Sequence, residues 1–172
     1  MPASPAPGAG LILALSRTTH DTQNAVVHEL EDGTTLVWEL LDAEPDDALL
    51  AAPVRVEPGW LMRHDRIDFP PGGIAYRHTH PGPGIRYLLF GSIRIDSGGE
   101  THDYGPGDPW FESGPEPVLA TASATEESAF VRVLILPAEW SGKRTIRYVD
   151  PADEDRPKLQ RPTVYGEYPI AP

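Results

Sequence analysis

Short runs in which apolar and polar residues alternate recur along most of this chain, and turn residues separate them. Alternation with a period of two is the pattern of a β-strand that buries one face. From residue 60 onward, such runs predict nine strands, at 60–69, 74–80, 85–90, 92–96, 100–104, 109–112, 117–122, 129–136 and 144–149. Helical periodicity is not sustained anywhere. The pattern therefore predicts an all-β antiparallel sandwich or barrel.

A hairpin is predicted ahead of these strands. Residues 25–30 and 34–40 both carry β-prone runs, and they flank Asp32-Gly33, a dipeptide that favours the tight turn of a hairpin. The segment that follows, residues 42–53, is acidic and contains only a short apolar patch, which is too short for a stable independent helix. We therefore predict a loop there, with one helical turn at most.

The two ends of the chain differ from its middle. Residues 1–10 are mainly Pro, Ala and Gly with little to bury, which predicts a flexible tail. Residues 150–172 are rich in Pro and charge but retain Tyr165 and Tyr168. We expect an extended arm there, packed over the barrel or over a neighbouring subunit, with a loose tail as the alternative. Between tail and arm, residues 11–149 are expected to form one barrel domain.

Composition narrows the possible functions. A chain of 172 residues fits one domain with its own core, and the absence of cysteine excludes disulfides, thiolate zinc sites and cysteine nucleophiles. The net charge is −12 without any Lys/Arg cluster, so neither nucleic acid nor an anionic membrane is an expected partner. The early apolar run at residues 11–15 is far shorter than the roughly 20 residues of a membrane span. We expect a cytoplasmic protein that binds a small molecule.

The pair His78 and His80 is the leading candidate for chemistry. Residues two apart on a strand share a face, so two imidazoles at this spacing can chelate one divalent metal ion. Without cysteine, any further ligands must be His, Asp, Glu or water. A hydrogen-bonded pair in a polar pocket without metal is the alternative interpretation.

Three stretches around this pair resemble the motifs of the cupin superfamily: Gly-Ile-Ala-Tyr-Arg-His-Thr-His at 73–80, Tyr-Leu-Leu-Phe-Gly at 87–91 and Gly-Pro-Gly-Asp at 105–108. The resemblance covers roughly residues 60–136. It implies a double-stranded β-helix, or jelly-roll barrel, whose open mouth holds a metal or a small ligand. The family is usually dimeric, so we expect a homodimer.

The chain departs from the metal ligands that this resemblance implies. The glutamate of the first motif falls on Gly84, and the histidine of the second motif falls near Pro117. Two of the four expected ligands are therefore missing, and the site is degenerate. Three other residues are candidates to complete it, in this order: Glu112, His102 and His64.

Glu112 leads because one carboxylate and two imidazoles form the facial triad of non-haem Fe(II) oxygenases, which keeps positions open for substrate. Strand alternation makes this conditional, since Glu112 enters the cavity only if Trp110 does. Glu112 is then both a metal ligand and a candidate catalytic residue, and Trp110, like His64, is a candidate substrate contact. The alternative for Glu112 is a solvated edge carboxylate.

Arg86 and Tyr76 complete the candidate site. An inward-pointing Arg86, with space left by Gly84, would orient an anionic substrate over the metal. The alternative is an internal ion pair with Glu112 or Asp108. Tyr76 shares the predicted face of the histidines and is a candidate catalytic hydroxyl, unless it simply packs in the core.

These residues support two hypotheses. The first is a small metal-dependent enzyme acting on a small metabolite, which would be an anion if Arg86 binds it: Fe²⁺ would favour oxygenation, whereas Mn²⁺, Ni²⁺ or Zn²⁺ would favour isomerase or lyase chemistry. The second is a non-catalytic barrel that binds a small ligand for sensing or carriage, with or without metal.

Overall fold

The computed structural model describes residues 9–172, which form three antiparallel sheets. The N-terminal sheet has the strand order β2-β3-β1-β4. Its strands are β1 (Ala9–Ser16), β2 (Ala25–Glu29), β3 (Thr35–Leu41) and β4 (Leu50–Val56). The predicted hairpin is present as β2 and β3, which pair in register around the Asp32-Gly33 turn.

Two five-stranded sheets form the barrel. The central sheet has the order β10-β7-β12-β5-β14, and the outer sheet has the order β13-β6-β11-β8-β9. Their strands are β5 (Leu61–Phe69), β6 (Ile74–Thr79), β7 (Gly84–Phe90), β8 (Ile93–Ser97), β9 (Glu100–Tyr104), β10 (Pro109–Glu112), β11 (Val118–Ala122), β12 (Ser128–Leu136), β13 (Arg147–Tyr148) and β14 (Arg161–Pro169). The all-β prediction of a jelly-roll barrel is confirmed. Within residues 9–172 the only helices are the short 3₁₀ segments Ala138–Trp140 and Pro151–Asp155, and neither is long enough to cross a bilayer.

Two hydrophobic cores show how the three sheets stack. One core joins the N-terminal sheet to one face of the central sheet, where Trp38 and Leu36 meet Ile85 and Val133. The other joins the opposite face of the central sheet to the outer sheet and includes Phe130. The central sheet is therefore covered on both faces, which explains why every residue of β12 is buried and why that strand is almost entirely apolar.

Two strands lie where the sequence pattern predicted none. β1 begins at Ala9, inside the predicted tail, and the rest of that tail, residues 1–8, lies outside the described residues. β4 (Leu50–Val56) begins within the last four residues of the predicted loop at 42–53 and pairs with β1 along its length. Every residue of β1 from Leu13 to Ser16 is buried, so the strand carries a continuous apolar run rather than an alternating pattern. β4 contains Pro53 and alanines, which lower β propensity, but it is the edge strand, where proline is tolerated.

The C-terminal arm is part of the barrel. β14 pairs antiparallel with β5 of the same chain, from Arg161 opposite Asp68 to Pro169 opposite Leu61. It forms one edge of the central sheet. Of the predicted strand at 144–149, only β13 forms a ladder, against the end of β6. These two late strands border the space between the central and outer sheets.

Candidate metal and ligand site

A cavity of about 630 Å³ lies between the central and outer sheets. Strands β5 and β12 supply one wall, β6 and β11 supply the other, and residues 142–148 and 158–167 line the remaining side. Exposed lining residues, such as Lys143 and Val164, lie on that last side. The cavity therefore opens to solvent beside β13 and β14.

Three predicted ligands meet in this cavity. One ligand atom each from His78, His80 and Glu112 lie within 4.8 Å of one another, and all three side chains are at most 9% exposed. His78 and His80 stand at the end of β6 with their rings edge to face, 4.8 Å between centroids. Glu112 ends β10, and the backbone N–H of His80 donates to the carbonyl of Gly114 just beyond it. This grouping matches a two-histidine, one-carboxylate donor set.

Hydrogen bonds orient both imidazoles. His78 Nδ1 lies 2.7 Å from the carbonyl oxygen of Tyr76, which can only accept, so Nδ1 carries the proton and Nε2 keeps its lone pair. His80 Nδ1 lies 3.1 Å from Thr145 Oγ1, and donation to that hydroxyl likewise leaves Nε2 free. Burial lowers the pKa of His78 and lowers that of His80 well below its usual value. Both rings are therefore neutral at pH 7, as metal ligands must be.

Two donors hold the carboxylate of Glu112. Trp110 Nε1 donates to Oε2 at 2.9 Å, and Arg86 Nε lies 2.9 Å from the same oxygen, without the alignment of a linear hydrogen bond. Both contacts fall on Oε2, so neither of them uses Oε1. Burial lowers the pKa of Arg86 to about 10, while the charge of Glu112 opposes that shift, so the guanidinium stays protonated at neutral pH.

Gly84 explains how Glu112 stands in for the missing glutamate. Glu112 lies directly opposite Gly84 in the pairing of β10 with β7. A Cβ atom on Gly84 would lie 2.6 Å from the carbonyl oxygen of Val133 and 3.1 Å from Arg86 Nη1, and Arg86 Nη1 donates to the Gly84 carbonyl at 3.0 Å. The guanidinium therefore fills the space that a side chain at 84 would need. The carboxylate comes from the neighbouring strand instead.

The structure decides between the sequence alternatives for two residues. Arg86, only 1% exposed, forms the internal ion pair with Glu112 rather than lining the cavity. Trp110 is buried like Glu112, but only Glu112 lines the cavity, so the condition that both enter it together does not hold; Trp110 packs in the barrel core, stacked on Tyr104 at 4.8 Å. Both residues thus position Glu112, and neither is placed to contact a ligand in this cavity.

The expected position of Tyr76 is wrong because β6 contains a bulge. Between β6 and β11, the three-residue step from Ala75 to His78 faces the two-residue step from Ala120 to Val118. Ala75 and His78 therefore both line the cavity, although simple alternation would put them on opposite faces. The Tyr76 ring lies instead beneath the Arg156 guanidinium, 5.0 Å away.

His64 and His102 also lie away from the candidate metal site. On β5, Arg63 and Asp65 line the cavity, whereas His64 points to the opposite face, where its Nε2 lies 3.1 Å from His28 Nδ1. His102 is exposed on β9, 3.3 Å from Glu100. The structure thus corrects both candidate roles. His64 belongs to the interface between the central and N-terminal sheets.

Burial of His64 predicts a loss of stability in acid. Burial lowers its pKa from 6.5 to about 4, and the adjacent His28 adds to the shift. Its contribution is complete above pH 6.5 and is lost as the pH falls towards 4, because only the unfolded state takes up the proton in that range. In urea unfolding from pH 7.5 to 4, His64→Gln should therefore show a shallower decline than the wild type. The control His102→Gln, at an exposed site, should follow the wild type, and a parallel decline for His64→Gln would refute this account.

The sequence analysis did not predict two ion pairs that line the cavity. Arg132 in β12 donates to both carboxylate oxygens of Asp65, from Nε at 2.8 Å and Nη2 at 3.1 Å. Arg63 lies 2.8 Å from Glu167 and also donates to two backbone carbonyls of the 140–143 loop. The sequence did contain one sign of the first pair: Arg132 is the only charged residue in the apolar run of β12, and a buried guanidinium requires an anion.

Comparisons with known proteins find similarity among solved structures. No protein-family model and no curated protein matches the sequence. Among solved structures, an RmlC-like cupin from Shewanella frigidimarina is 13% identical over 73% of this chain and 96% of its own, with a TM-score of 0.41. The polyketide cyclase RemF from Streptomyces resistomycificus is 23% identical over 55% and 75%, with a TM-score of 0.40. A Rhizobium leguminosarum protein of unknown function is 25% identical over 39% of this chain, with a TM-score of 0.34, and the chain spans only 62% of its length.

Proposed function

We propose that this protein is a metal-dependent enzyme of the cupin type whose divalent ion is held by His78, His80 and Glu112. One observation carries this proposal: two neutral imidazoles at the end of β6 and one carboxylate on β10 converge within 4.8 Å at the wall of an open cavity. Buried polar side chains normally find partners, and here one ligand atom of each side chain lies close to the other two. A divalent ion would satisfy all three.

The donor set suits an oxygenase best. Two imidazoles and one carboxylate leave open positions for dioxygen and substrate on Fe²⁺, which is therefore the favoured metal. Mn²⁺, Ni²⁺ or Zn²⁺ in the same donors would suit isomerase or lyase chemistry through polarisation of a substrate oxygen. The chain's own residues hold the ligands: Arg86 and Trp110 fix the carboxylate, and Thr145 fixes the His80 ring.

Metal analysis tests this proposal directly. Wild-type protein should be reconstituted with Fe²⁺ without oxygen, or with Zn²⁺. It should retain roughly one ion per chain after dialysis, as expected for a single site with three protein ligands. The double variant His78→Ala/His80→Ala should retain less than about a tenth of that amount, because a single carboxylate does not hold a transition metal. His102→Ala, which removes an exposed histidine, is the matched control and should behave as the wild type. Equal metal content in the double variant, or none in the wild type, would disprove the metal site.

A non-catalytic ligand-binding barrel is the second candidate. One observation favours it: Arg86 already neutralises Glu112, so this carboxylate needs no metal to be stable inside the barrel. In that case the metal-free protein would bind its ligand with the same affinity as the reconstituted protein. Under the enzyme proposal, by contrast, reconstitution should tighten ligand binding.

Assembly and location stay predictions. The expected homodimer would use an exposed edge, and β14 offers one with the half-exposed side chains of Val164, Tyr165 and Tyr168. Light scattering would decide whether a second copy covers it. The cytoplasmic location rests on the sequence alone.

A further inference from the structure

The cavity has a polar end and an apolar end. Along β5, its lining residues run from Arg63 and Asp65 to Ile67 and Phe69. Phe130 of β12 lies beside Ile67 in the register of the central sheet and lines the same end. On this wall, charge therefore gives way to apolar surface over a few residues.

The outer sheet repeats this division. His78 and His80 line the polar end, whereas Ala75 pairs with Ala120, and Ala120 pairs with Ile95 of β8. The small side chains of Ala75 and Ala120 leave space at the apolar end. A ligand bound next to the candidate metal ligands would thus extend an apolar body between the two walls.

The charges that line the cavity favour an anion. Five cationic residues line it: Arg63, Arg132, Lys143, Arg144 and Lys158. Only three carboxylates do, Asp65, Glu112 and Glu167, and each already contacts an arginine. This local excess of positive charge stands out in a chain with a net charge of −12. A divalent metal would increase it, so an anionic ligand would be drawn in and held there.

Arg132 is the residue best placed to bind that anion. It is 7% exposed, lines the cavity and is held by Asp65 through Nε and one Nη2 hydrogen, so the two hydrogens of Nη1 are not used by that pair. Its guanidinium lies 5.7 Å from the centre of the Phe130 ring, at the boundary between the polar and apolar ends. A fixed planar fork next to an aromatic wall suits an oxyanion attached to an apolar body.

We infer that the ligand is an amphipathic oxyanion, with a carboxylate or enolate beside Arg132 and a ring-bearing apolar body between Phe130 and Ala120. This inference rests on the proposed function, because it names the substrate class of the same site. A volume of about 630 Å³ is well within the range of roughly 300–1,000 Å³ that encloses drug-sized ligands. An acid as small as acetate would leave most of it unfilled.

Three probes separate the features of such a ligand. We would measure binding of 2-naphthoate, neutral 2-naphthalenemethanol and acetate to the full chain by calorimetry, with and without reconstituted metal. 2-Naphthoate should bind at least tenfold more tightly than either of the others. If the neutral alcohol binds equally well, no anion is recognised, and if acetate binds equally well, the apolar end has no role. Either result overturns the inference.

Two variants locate the binding site. Ala120→Leu fills the apolar end and should weaken 2-naphthoate binding at least tenfold, whereas Thr121→Leu, the next residue on the same strand and outside the cavity lining, should leave it unchanged. Asp65→Asn/Arg132→Gln removes both charges of the pair together and should erase the preference for the anion over the alcohol. Unchanged binding in a folded Ala120→Leu protein would place the site elsewhere and refute the inference.

Metal content measured on the same samples keeps the two proposals apart. If the protein retains no metal after reconstitution but still prefers 2-naphthoate, the ligand class is upheld and the metal enzyme is refuted. Stoichiometric metal with equal binding of all three probes would do the reverse.

Discussion

Arg86→Met is expected to lower the free energy of unfolding by about 3–5 kcal/mol, because it leaves the Glu112 carboxylate buried without its ion partner. The pair is 1% and 8% exposed in its side chains, so water cannot replace the guanidinium. Restoring neutrality should recover much of the loss: in Arg86→Met/Glu112→Gln, the amide can still accept from Trp110 Nε1. Urea unfolding followed by circular dichroism measures both effects.

The same variant should weaken metal binding about 10–100-fold, as expected when a group that orients a ligand is removed. Arg94→Met is the matched control, since Arg94 forms a comparable pair with Asp103 on the surface, where both side chains are at least 60% exposed. Its removal should leave both the stability and the metal binding close to those of the wild type. Equal destabilisation by the two variants would show that the Arg86 pair has no special role.

The barrel strands could be predicted because their signals are local. From β5 to β12, alternation and turn residues determine the strands, and the structure reproduces their bounds to within a residue or two. β1 and β4 were missed because their β character depends on pairing with each other. A strand covered on both sides loses its alternation, and an alanine-rich edge strand has weak propensity of its own.

The candidate site was predictable where each signal lay within a single stretch of sequence. The spacing of His78 and His80 belongs to the end of β6, and Glu112 lies in β10, just after the Gly107-Asp108 turn. The role of Tyr76 depended on uninterrupted alternation, which the bulge before His78 breaks. Asp65 and Arg132 lie on two strands that are far apart in sequence, so no local sequence pattern identifies them as partners.

Gly84 shows how a departure from a motif can itself be informative. Along β7 alone, the glycine at position 84 indicates that the glutamate ligand of the motif is absent. In the sheet, the same glycine leaves room for the backbone of β12 and for Arg86, and it faces Glu112, so the neighbouring strand supplies a carboxylate at this place. Cross-strand neighbours are the positions in which such a replacement should be sought.

The N-terminal sheet packs against the face of the central sheet that lies opposite the outer sheet, and there it contacts the strand that carries Gly84 and Arg86. Trp38 is fully buried, and its Nε1 donates to the carbonyl of Ile85 at 3.0 Å. Ile85 lies between Gly84 and Arg86 in β7, so the contact braces the strand that carries the site's central glycine and arginine. The N-terminal sheet is therefore an integral layer of the protein.

Trp38→Ala should lower the free energy of unfolding by about 3–5 kcal/mol, since it opens a large cavity between the two sheets and leaves the Ile85 carbonyl without its donor. Trp38→Phe, which keeps most of the packing, should cost only about 1–3 kcal/mol. Val27→Ala is the control on the same sheet, where a 53% exposed side chain should change stability by about 0.5 kcal/mol or less. Because Trp38 touches no metal ligand, Trp38→Ala should keep the metal stoichiometry of the wild type under folding conditions. A variant as stable as the wild type would mean that the N-terminal sheet only rests on the barrel.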